Sequence, residues 1–110
     1  MIQAVLRLVA PVDKRDEILQ VLSGLSGPTE ASKGCRCCRV LCDANDKHVI
    51  TYWVQLETSE DLQAHLRSER FQMLLPYIDM SLEPPEVEVS RLDAIGGMDF
   101  IVSAIRAQRG

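Results

Sequence analysis

The fold of this chain is decided by a stretch near its centre, residues 35–56, which reads CRCCRVLCDANDKHVITYWVQL. The turn-forming residues Asp43 to Asp46 separate two segments that lack helical spacing, so the stretch predicts two strands joined in a hairpin. Side chains alternate between the two faces of a strand. One face of the second strand therefore carries Ile50, Tyr52, Val54 and Leu56, and the other carries Val49 and Trp53. Because both faces are largely apolar, we expect both to be buried.

A strand and a helix precede the hairpin. Residues 2–10 alternate between apolar and polar positions with the period of a half-buried strand, and Pro11 ends that strand. The next segment predicts an amphipathic helix of about three turns, with Asp13 as its N-cap and Gly27-Pro28 as its end. Its apolar positions are Ile18, Leu19, Val21, Leu22 and Leu25.

Two short helices and a strand follow the hairpin. Thr58 and Ser68 are predicted to cap the helices, and Pro76 should kink or end the second one because it lacks a backbone donor. Val87 and Val89 alternate with glutamates in a last strand. The order β-α-β-β-α-β predicts an α+β fold of the ferredoxin-like type, with a four-stranded antiparallel sheet and helices on one face. An extra C-terminal helix is predicted from the apolar stripe Met98, Ile101, Val102 and Ile105.

The pattern divides the chain into a domain over residues 1–93 and a helical tail over residues 94–110. A tail helix of this kind packs against its own domain or a dimer mate, or it binds a partner. A homodimer packed sheet to sheet is the simplest cover for the second face of the sheet, and the tail helix is a competing cover.

Composition excludes several classes of protein. The 110 residues suffice for one domain, and 46% hydrophobic with 25% charged residues is the balance of a globular protein. The net charge of −4 has the wrong sign for nucleic-acid binding. No segment is long and apolar enough to span a membrane, and the first residues lack the pattern of a signal peptide. We therefore expect a cytoplasmic protein with neither nucleic acid nor membrane as a partner.

Three segments resemble the antibiotic biosynthesis monooxygenase family: APVDKRDEIL at residues 10–19, Gly34-Cys35 at the start of the second strand, and LQAHLRSERF at residues 62–71. The resemblance covers about residues 2–92. It implies a homodimer of ferredoxin-like subunits, a dimeric α/β barrel, in which each subunit has a pocket between sheet and helices. Some members oxidise quinols or polyketide aromatics without metal or flavin. Others open haem or isomerise small sugar derivatives, and many have no known activity.

The resemblance also implies a site. His65 matches the histidine of the family, and a histidine there can act as base or hydrogen-bond donor towards a phenol because its pKa lies near the working pH. Tyr52 would orient the ligand, and Leu6, Leu56 and Phe71 would line the ligand-binding pocket. Two alternatives stay open: His65 as a half-buried residue bonded to a backbone carbonyl, and the apolar set as an ordinary core without a cavity.

The chain departs from the family at several positions. Members often carry Glu-x-Trp with the tryptophan nine residues before the histidine, and this chain has Val54 and Leu56 there. Leu6 stands where the haem-degrading branch has an asparagine, so haem degradation is not expected. Arg70 stands where many quinol-oxidising relatives have a second histidine.

Four cysteines fall within eight residues: Cys35, Cys37, Cys38 and Cys42. Regular alternation would put the first two on one face of the strand and the last two on the other, so the four could not converge on a metal. Buried small apolar side chains are one interpretation. The alternative is that Arg36 and Arg39 favour a thiolate at Cys37 or Cys38 where those sulfurs are exposed, which makes these two candidate reactive thiols.

Three functions follow from these observations. The resemblance implies a monooxygenase that needs no cofactor and acts on a small aromatic or quinol-like compound. The missing Glu-x-Trp favours a non-catalytic dimer that binds a small ligand or is associated with stress, and the cysteines suggest a redox sensor. The expected partners are a second copy of the chain and a small hydrophobic or aromatic molecule. No metal site is expected.

Overall fold

The computed structural model describes residues 1–109, and Gly110 at the end of the predicted tail lies outside them. The chain forms the predicted α+β arrangement. Its strands are β1 (Ile2–Val9), β2 (Cys35–Cys42), β3 (Val49–Leu56) and β4 (Glu86–Arg91). Its helices are α1 (Arg15–Glu30), α2 (Ser59–Arg67), α3 (Glu69–Gln72), α4 (Leu75–Ile78) and α5 (Met98–Arg109).

The four strands make one antiparallel sheet in the order β2-β3-β1-β4. The two inner strands pair with Leu6 opposite Tyr52 and Leu8 opposite Ile50. This register places the apolar parity of both strands on the side of the sheet that the helices cover, as the alternation predicts. The core forms there, and its largest fully buried side chains include Leu8, Ile18, Leu22, Ile50, Leu56 and Leu74.

Helix α1 differs from its prediction at both ends. Its N-cap is Lys14 without a side-chain hydrogen bond, so the prediction that Asp13 caps the helix is wrong. The helix also runs through Gly27-Pro28 to Glu30 instead of ending there. Pro28 cannot donate the backbone hydrogen bond to the Gly24 carbonyl, and the helix continues for two residues beyond it. The completely buried Thr29 then fixes the last turn against the core.

The second helical region is capped as predicted. The Thr58 hydroxyl accepts a hydrogen bond from the Asp61 backbone N–H at 3.1 Å, and the Ser68 hydroxyl accepts one from the Phe71 N–H at 3.2 Å. Pro76 does not kink a long helix. It lies in the first turn of the separate helix α4, where its missing donor is not needed.

A β-bulge changes the arrangement of the cysteines. Along β3, Cys35 stands opposite Leu56, Cys37 opposite Gln55 and Cys38 opposite Val54, and the register shifts between Cys35 and Cys37. The extra residue turns Cys35 to the helix-covered side together with Cys38. The prediction that Cys35 and Cys37 share a face is therefore wrong, because it assumed a regular strand.

The tail helix α5 stands apart from the core. Every side chain from Met98 to Ala107 is exposed, including the apolar stripe that predicted the helix. This stripe does not pack against its own domain in the single chain. Within residues 1–109, none of the helices has the length and hydropathy that a membrane crossing requires.

Gly34 and Gly24 provide a matched test of the fold. Gly34 has a φ of +79°, and a Cβ there would overlap the Asp61 carboxylate. We expect Gly34→Ala to lower the free energy of unfolding by about 1–3 kcal/mol, because an alanine is strained at this φ and Asp61 must move. Gly24→Ala, in a helix with open space around it, should raise it by about 0.5–1 kcal/mol. Urea unfolding measures both, and equal effects would contradict the assigned conformation of Gly34.

Candidate functional site

An apolar cavity of about 250 Å³ lies between the sheet and the helices that follow β3. Tyr52 and His65 are the two residues of its lining whose side chains carry polar atoms. The apolar lining comes from β1, β3, β4 and the helices α2, α3 and α4: Ala4, Val5, Leu6, Val54, Leu66, Phe71, Leu75, Ile78, Val87 and Val89. A ligand held here would meet a hydrocarbon surface, and the polar atoms of the wall lie behind that surface at one place.

The polar place in the cavity is a hydrogen-bonded pair. The Tyr52 hydroxyl oxygen lies 3.1 Å from Nε2 of His65, and both side chains are buried. Tyr52 comes from β3 and His65 from the last turn of α2. The Phe71 ring packs edge-on against the imidazole, with 5.3 Å between the ring centroids. The partner of His65 is thus a side-chain hydroxyl, and not the backbone carbonyl that the sequence left open.

Burial and charge keep the imidazole neutral. Burial of His65, and then the nearby positive charge of Arg70, lower the pKa of His65 below its ordinary 6.5. A neutral imidazole offers one nitrogen as an acceptor. His65 is therefore in the state that accepts a proton at neutral pH, and the Tyr52 hydroxyl is placed to donate to Nε2.

Two further polar side chains of the core change the pKa of Tyr52. Burial, followed by interaction with the Cys38 thiol, raises the pKa of Tyr52, whereas the Thr29 hydroxyl acts in the opposite direction. Tyr52 thus stays protonated at neutral pH. Thr29 Oγ1 is completely buried and has no hydrogen-bond partner in the described part of the chain. The tyrosine hydroxyl consequently lies in a small polar cluster inside an apolar core.

The structure brings together most of the residues that the resemblance placed in the site. His65, Tyr52, Leu6 and Phe71 all line the cavity. Leu56 lies on the same face of the sheet but is buried in the core and does not line the cavity. Leu56 pairs with Ile2 at the far end of β1, four residues from the Leu6–Tyr52 pair.

Several lining residues were not predicted as site residues, among them Leu66, Leu75 and Ile78 on the helices and Val87 and Val89 on β4. The two valines had a signal in the sequence, since they alternate with glutamates. The alternation did not show, however, with which strand β4 pairs. The pairing of Val89 with Ala4 and of Val87 with Leu6 places both valines beside the cavity.

The cysteines lie in different environments. Cys38 is 1% exposed, and its burial raises its pKa to about 11, so it lacks the exposure on which the prediction of a thiolate depended. The guanidinium groups of Arg36 and Arg39 instead form ion pairs with Glu57 and Glu30. Cys37 is half-buried on the other face, and Cys42 is exposed. Within residues 1–109, no group of three or more histidine, cysteine or acidic side chains is placed to hold a metal ion.

Solved structures share this fold. One from Deinococcus radiodurans, described as an antibiotic biosynthesis monooxygenase, aligns with a TM-score of 0.81 at 15% identity and covers 89% of this chain and 99% of that one. One of the same description from Nitrosomonas europaea gives 0.79 at 15%, covering 86% and 100%. A protein from Mycobacterium tuberculosis gives 0.77 at 20%, covering 86% and 98%. These likenesses support the four-stranded ferredoxin-like fold.

The sequence comparison with families gives the assignment. No curated protein sequence matches the chain. The family model described as antibiotic biosynthesis monooxygenase matches residues 1–74, which run from β1 through the capped helices that carry His65 and Phe71. The chain therefore belongs to the antibiotic biosynthesis monooxygenase family.

Proposed function

We propose that this protein is a cofactor-independent monooxygenase that acts on a small aromatic or quinol-like compound. The observation that carries the proposal is the pair of Tyr52 and His65, 3.1 Å apart, in an otherwise apolar cavity of about 250 Å³. The family assignment supports the reaction class. The cavity supports the substrate class, since its lining suits a hydrophobic body with one hydroxyl group.

The residues have separate roles in the proposed reaction. The substrate hydroxyl donates to the Tyr52 oxygen, and the Tyr52 proton passes to Nε2 of His65, so that a phenolate forms. Burial keeps His65 neutral and therefore ready to accept the proton, and it disfavours the protonated form, so the proton is returned readily. His65 is the base, and Tyr52 orients the substrate and connects it to that base.

The oxygen chemistry is then carried by the substrate itself. The phenolate gives one electron to O₂, and the resulting substrate radical and superoxide combine with formation of a C–O bond. The O–O bond of the peroxide breaks, and the outer oxygen leaves as water with the proton from His65 and the hydrogen from the attacked carbon. A hydroquinone thereby loses two hydrogen atoms and gains one oxygen atom, and the second oxygen atom of O₂ becomes water.

Oxygen uptake with a panel of hydroquinones tests the proposal. We expect His65→Ala to lower kcat/KM by roughly 10²–10⁴-fold, the usual contribution of a general base. Tyr52→Phe should also lower kcat, because the connection to His65 is lost. His48→Ala is the matched control, since His48 does not line the cavity. Unchanged uptake in His65→Ala would remove His65 from the mechanism.

The pH dependence provides a second readout in the same assay. Only the neutral form of His65 accepts a proton, and its pKa is lowered, so kcat/KM should rise with pH with a midpoint below pH 6.5. If the wild-type protein binds hydroquinones but consumes no oxygen, the non-catalytic ligand-binding dimer is favoured instead.

We also propose that the protein is a homodimer packed through the open face of the sheet. Members of this family are typically dimeric. Trp53 lies on that face and is only half-buried in the single chain, and its indole N–H donates to Gln3 Oε1 at 2.6 Å. Gln55 donates to the same oxygen at 3.0 Å. These bonds hold the indole against the sheet, where a second copy can cover it.

Light scattering after size-exclusion chromatography tests the dimer. The wild-type protein should have twice the mass of the 12.3 kDa chain, and Trp53→Arg should shift it towards the monomer, because a charge in a buried interface is unfavourable. Met73→Arg is the control, since Met73 is exposed in the helical layer. An unchanged mass for a folded Trp53→Arg variant would contradict the proposed interface.

For the cysteine cluster, we propose that Cys37 and not Cys38 is the reactive thiol of the pair. Cys37 is half-buried on the face away from the helices, and Cys38 is buried beside Tyr52. Only a thiolate reacts readily, and the Cys38 pKa of about 11 leaves it about a hundredfold less thiolate than an ordinary thiol. A redox sensor built on this cluster would use Cys37.

Site-resolved alkylation at neutral pH, followed by mass spectrometry, measures this difference. We expect Cys37 and the exposed Cys42 to react at least about tenfold faster than Cys38. Cys38 should become equally reactive once the protein is unfolded in urea, which serves as the control. A Cys38 that reacts as fast as Cys42 in the folded protein would contradict this assignment.

A further inference from the structure

His65 also borders a second pocket, which we call the outer pocket. The outer pocket has a volume of about 280 Å³, and His65 is the one residue that it shares with the apolar cavity among the described residues. The rest of its lining comes from the α1–β2 loop, α2 and α3: Ser32, Lys33, Asp61, Ala64, Ser68 and Arg70. A buried histidine thus separates a hydrocarbon cavity from a polar pocket.

The outer pocket has two cations that lack ion-pair partners. Lys33 and Arg70 have no carboxylate within 4 Å in the described part of the chain, although Asp61 lines the same pocket. Five basic residues elsewhere pair with acids, and four others, Lys47, Arg67, Arg91 and Arg106, form no ion pair among the described residues. What distinguishes Lys33 and Arg70 is that they line the same pocket. The two serine hydroxyls donate to the backbone carbonyls of Thr29 and His65. The pocket therefore carries a net positive charge in a chain whose net charge is −4.

We propose that the outer pocket is an anion-binding site, in which Lys33 and Arg70 hold a small free oxyanion such as sulfate, phosphate or a carboxylate beside His65. Guanidinium and ammonium groups are the usual ligands of such anions. His65 is 8% exposed and lines the pocket, so a bound anion would lie next to a buried polar side chain.

Anion binding and the protonation of His65 would be coupled. The charge of Arg70 lowers the pKa of His65, so an anion that offsets this charge raises it. By reciprocity, the anion binds more tightly when His65 is protonated, and its affinity rises as the pH falls. If His65 is the base of the proposed oxygenase, the anion would act as an inhibitor near the pKa. This last step rests on the proposed function, and the site itself does not.

Other groups around His65 do not reverse the expected rise of its pKa on anion binding. Tyr52 and Cys38 have raised pKa values and stay neutral at the pH considered. Asp61 is the one acidic side chain of the outer pocket, and it does not offset the lowering of the His65 pKa by burial and Arg70. The charged or titratable groups facing His65 from the elements around it are Lys33, Cys38, Tyr52, Asp61 and Arg70.

Nuclear magnetic resonance of the His65 imidazole tests the site without substrate or oxygen. Sodium sulfate is the probe because it stays fully ionised between pH 5 and 8, and sodium chloride at equal ionic strength is the reference. We expect a saturable shift of the His65 signals with sulfate and an upward movement of its titration midpoint. The signals of His48, which lines neither pocket, should not respond in this way.

Matched variants identify the residues that hold the anion. Arg70→Gln and Lys33→Gln should each weaken sulfate binding at least about tenfold, the loss expected for one charge-assisted hydrogen bond. Arg67→Gln, on the exposed side of α2, should bind as the wild type does. Arg70→Gln without sulfate should by itself raise the titration midpoint of His65, because the charge of Arg70 lowers its pKa. Since unfolding would also raise this midpoint, a urea unfolding curve checks separately that the variant is folded.

Either of two results would overturn the proposal. One is a shift that grows linearly with salt and is the same for sulfate and chloride. The other is saturable sulfate binding that Arg70→Gln and Lys33→Gln leave unchanged. Neither result depends on oxygen uptake, so the failure of the anion site and the failure of the oxygenase proposal are distinguishable.

Discussion

The pairing of β1 with β3 is the constraint on which the rest of the molecule depends. These are the two inner strands of the sheet, and their register sets Leu6 against Tyr52 and Leu8 against Ile50. A slip of one residue would turn every side chain of one strand to the other face. If β3 slipped, Tyr52 would point away from the helices, and both the core and the cavity would lose this side chain. The apolar parity of both strands makes that slip costly, because it would exchange buried leucines for glutamine and arginine.

The same constraint explains why a tyrosine and a histidine are stable inside the core. A buried hydroxyl or imidazole without a partner is costly, and here each supplies the partner of the other at 3.1 Å. The capped helix α2 carries His65 to this position, and the second cap at Ser68 turns the chain so that Phe71 covers the imidazole. Local capping and sheet register thus jointly produce one polar pair, and the pair stays neutral because it is buried.

Periodicity predicted the strands and the order of the elements, since that signal is local. It predicted two helices after the hairpin where there are three, and the predicted cap at Asp13 was wrong. The strands of the hairpin, the caps at Thr58 and Ser68 and the apolar face around Tyr52 all follow from spacing within a few residues. Two of the errors arise where a contact with residues distant in the sequence decides the local conformation. The buried Thr29 carries helix α1 past Pro28, and a bulge opposite Leu56 moves Cys35 to the other face. Leu56 was predicted to line the pocket because it lies on the same face of β3 as Tyr52. Alternation predicts the face on which a side chain lies, but not how far along the strand the cavity extends.

The exposed fractions of the lining residues show which end of the cavity is closed and which end is open. Tyr52 and His65 are buried, whereas Val87 and Val89 on β4 are 66% and 56% exposed and Leu75 on α4 is 47% exposed. The helical layer therefore closes the polar end and leaves the β4 side open. A molecule with a hydrophobic body and one hydroxyl gains most if the hydroxyl enters first, because its body then covers exposed valine and leucine while the hydroxyl meets Tyr52. Under the proposed function, a ligand with a polar group at each end would have to bury one of them against hydrocarbon, so we expect substrates that are polar at one end.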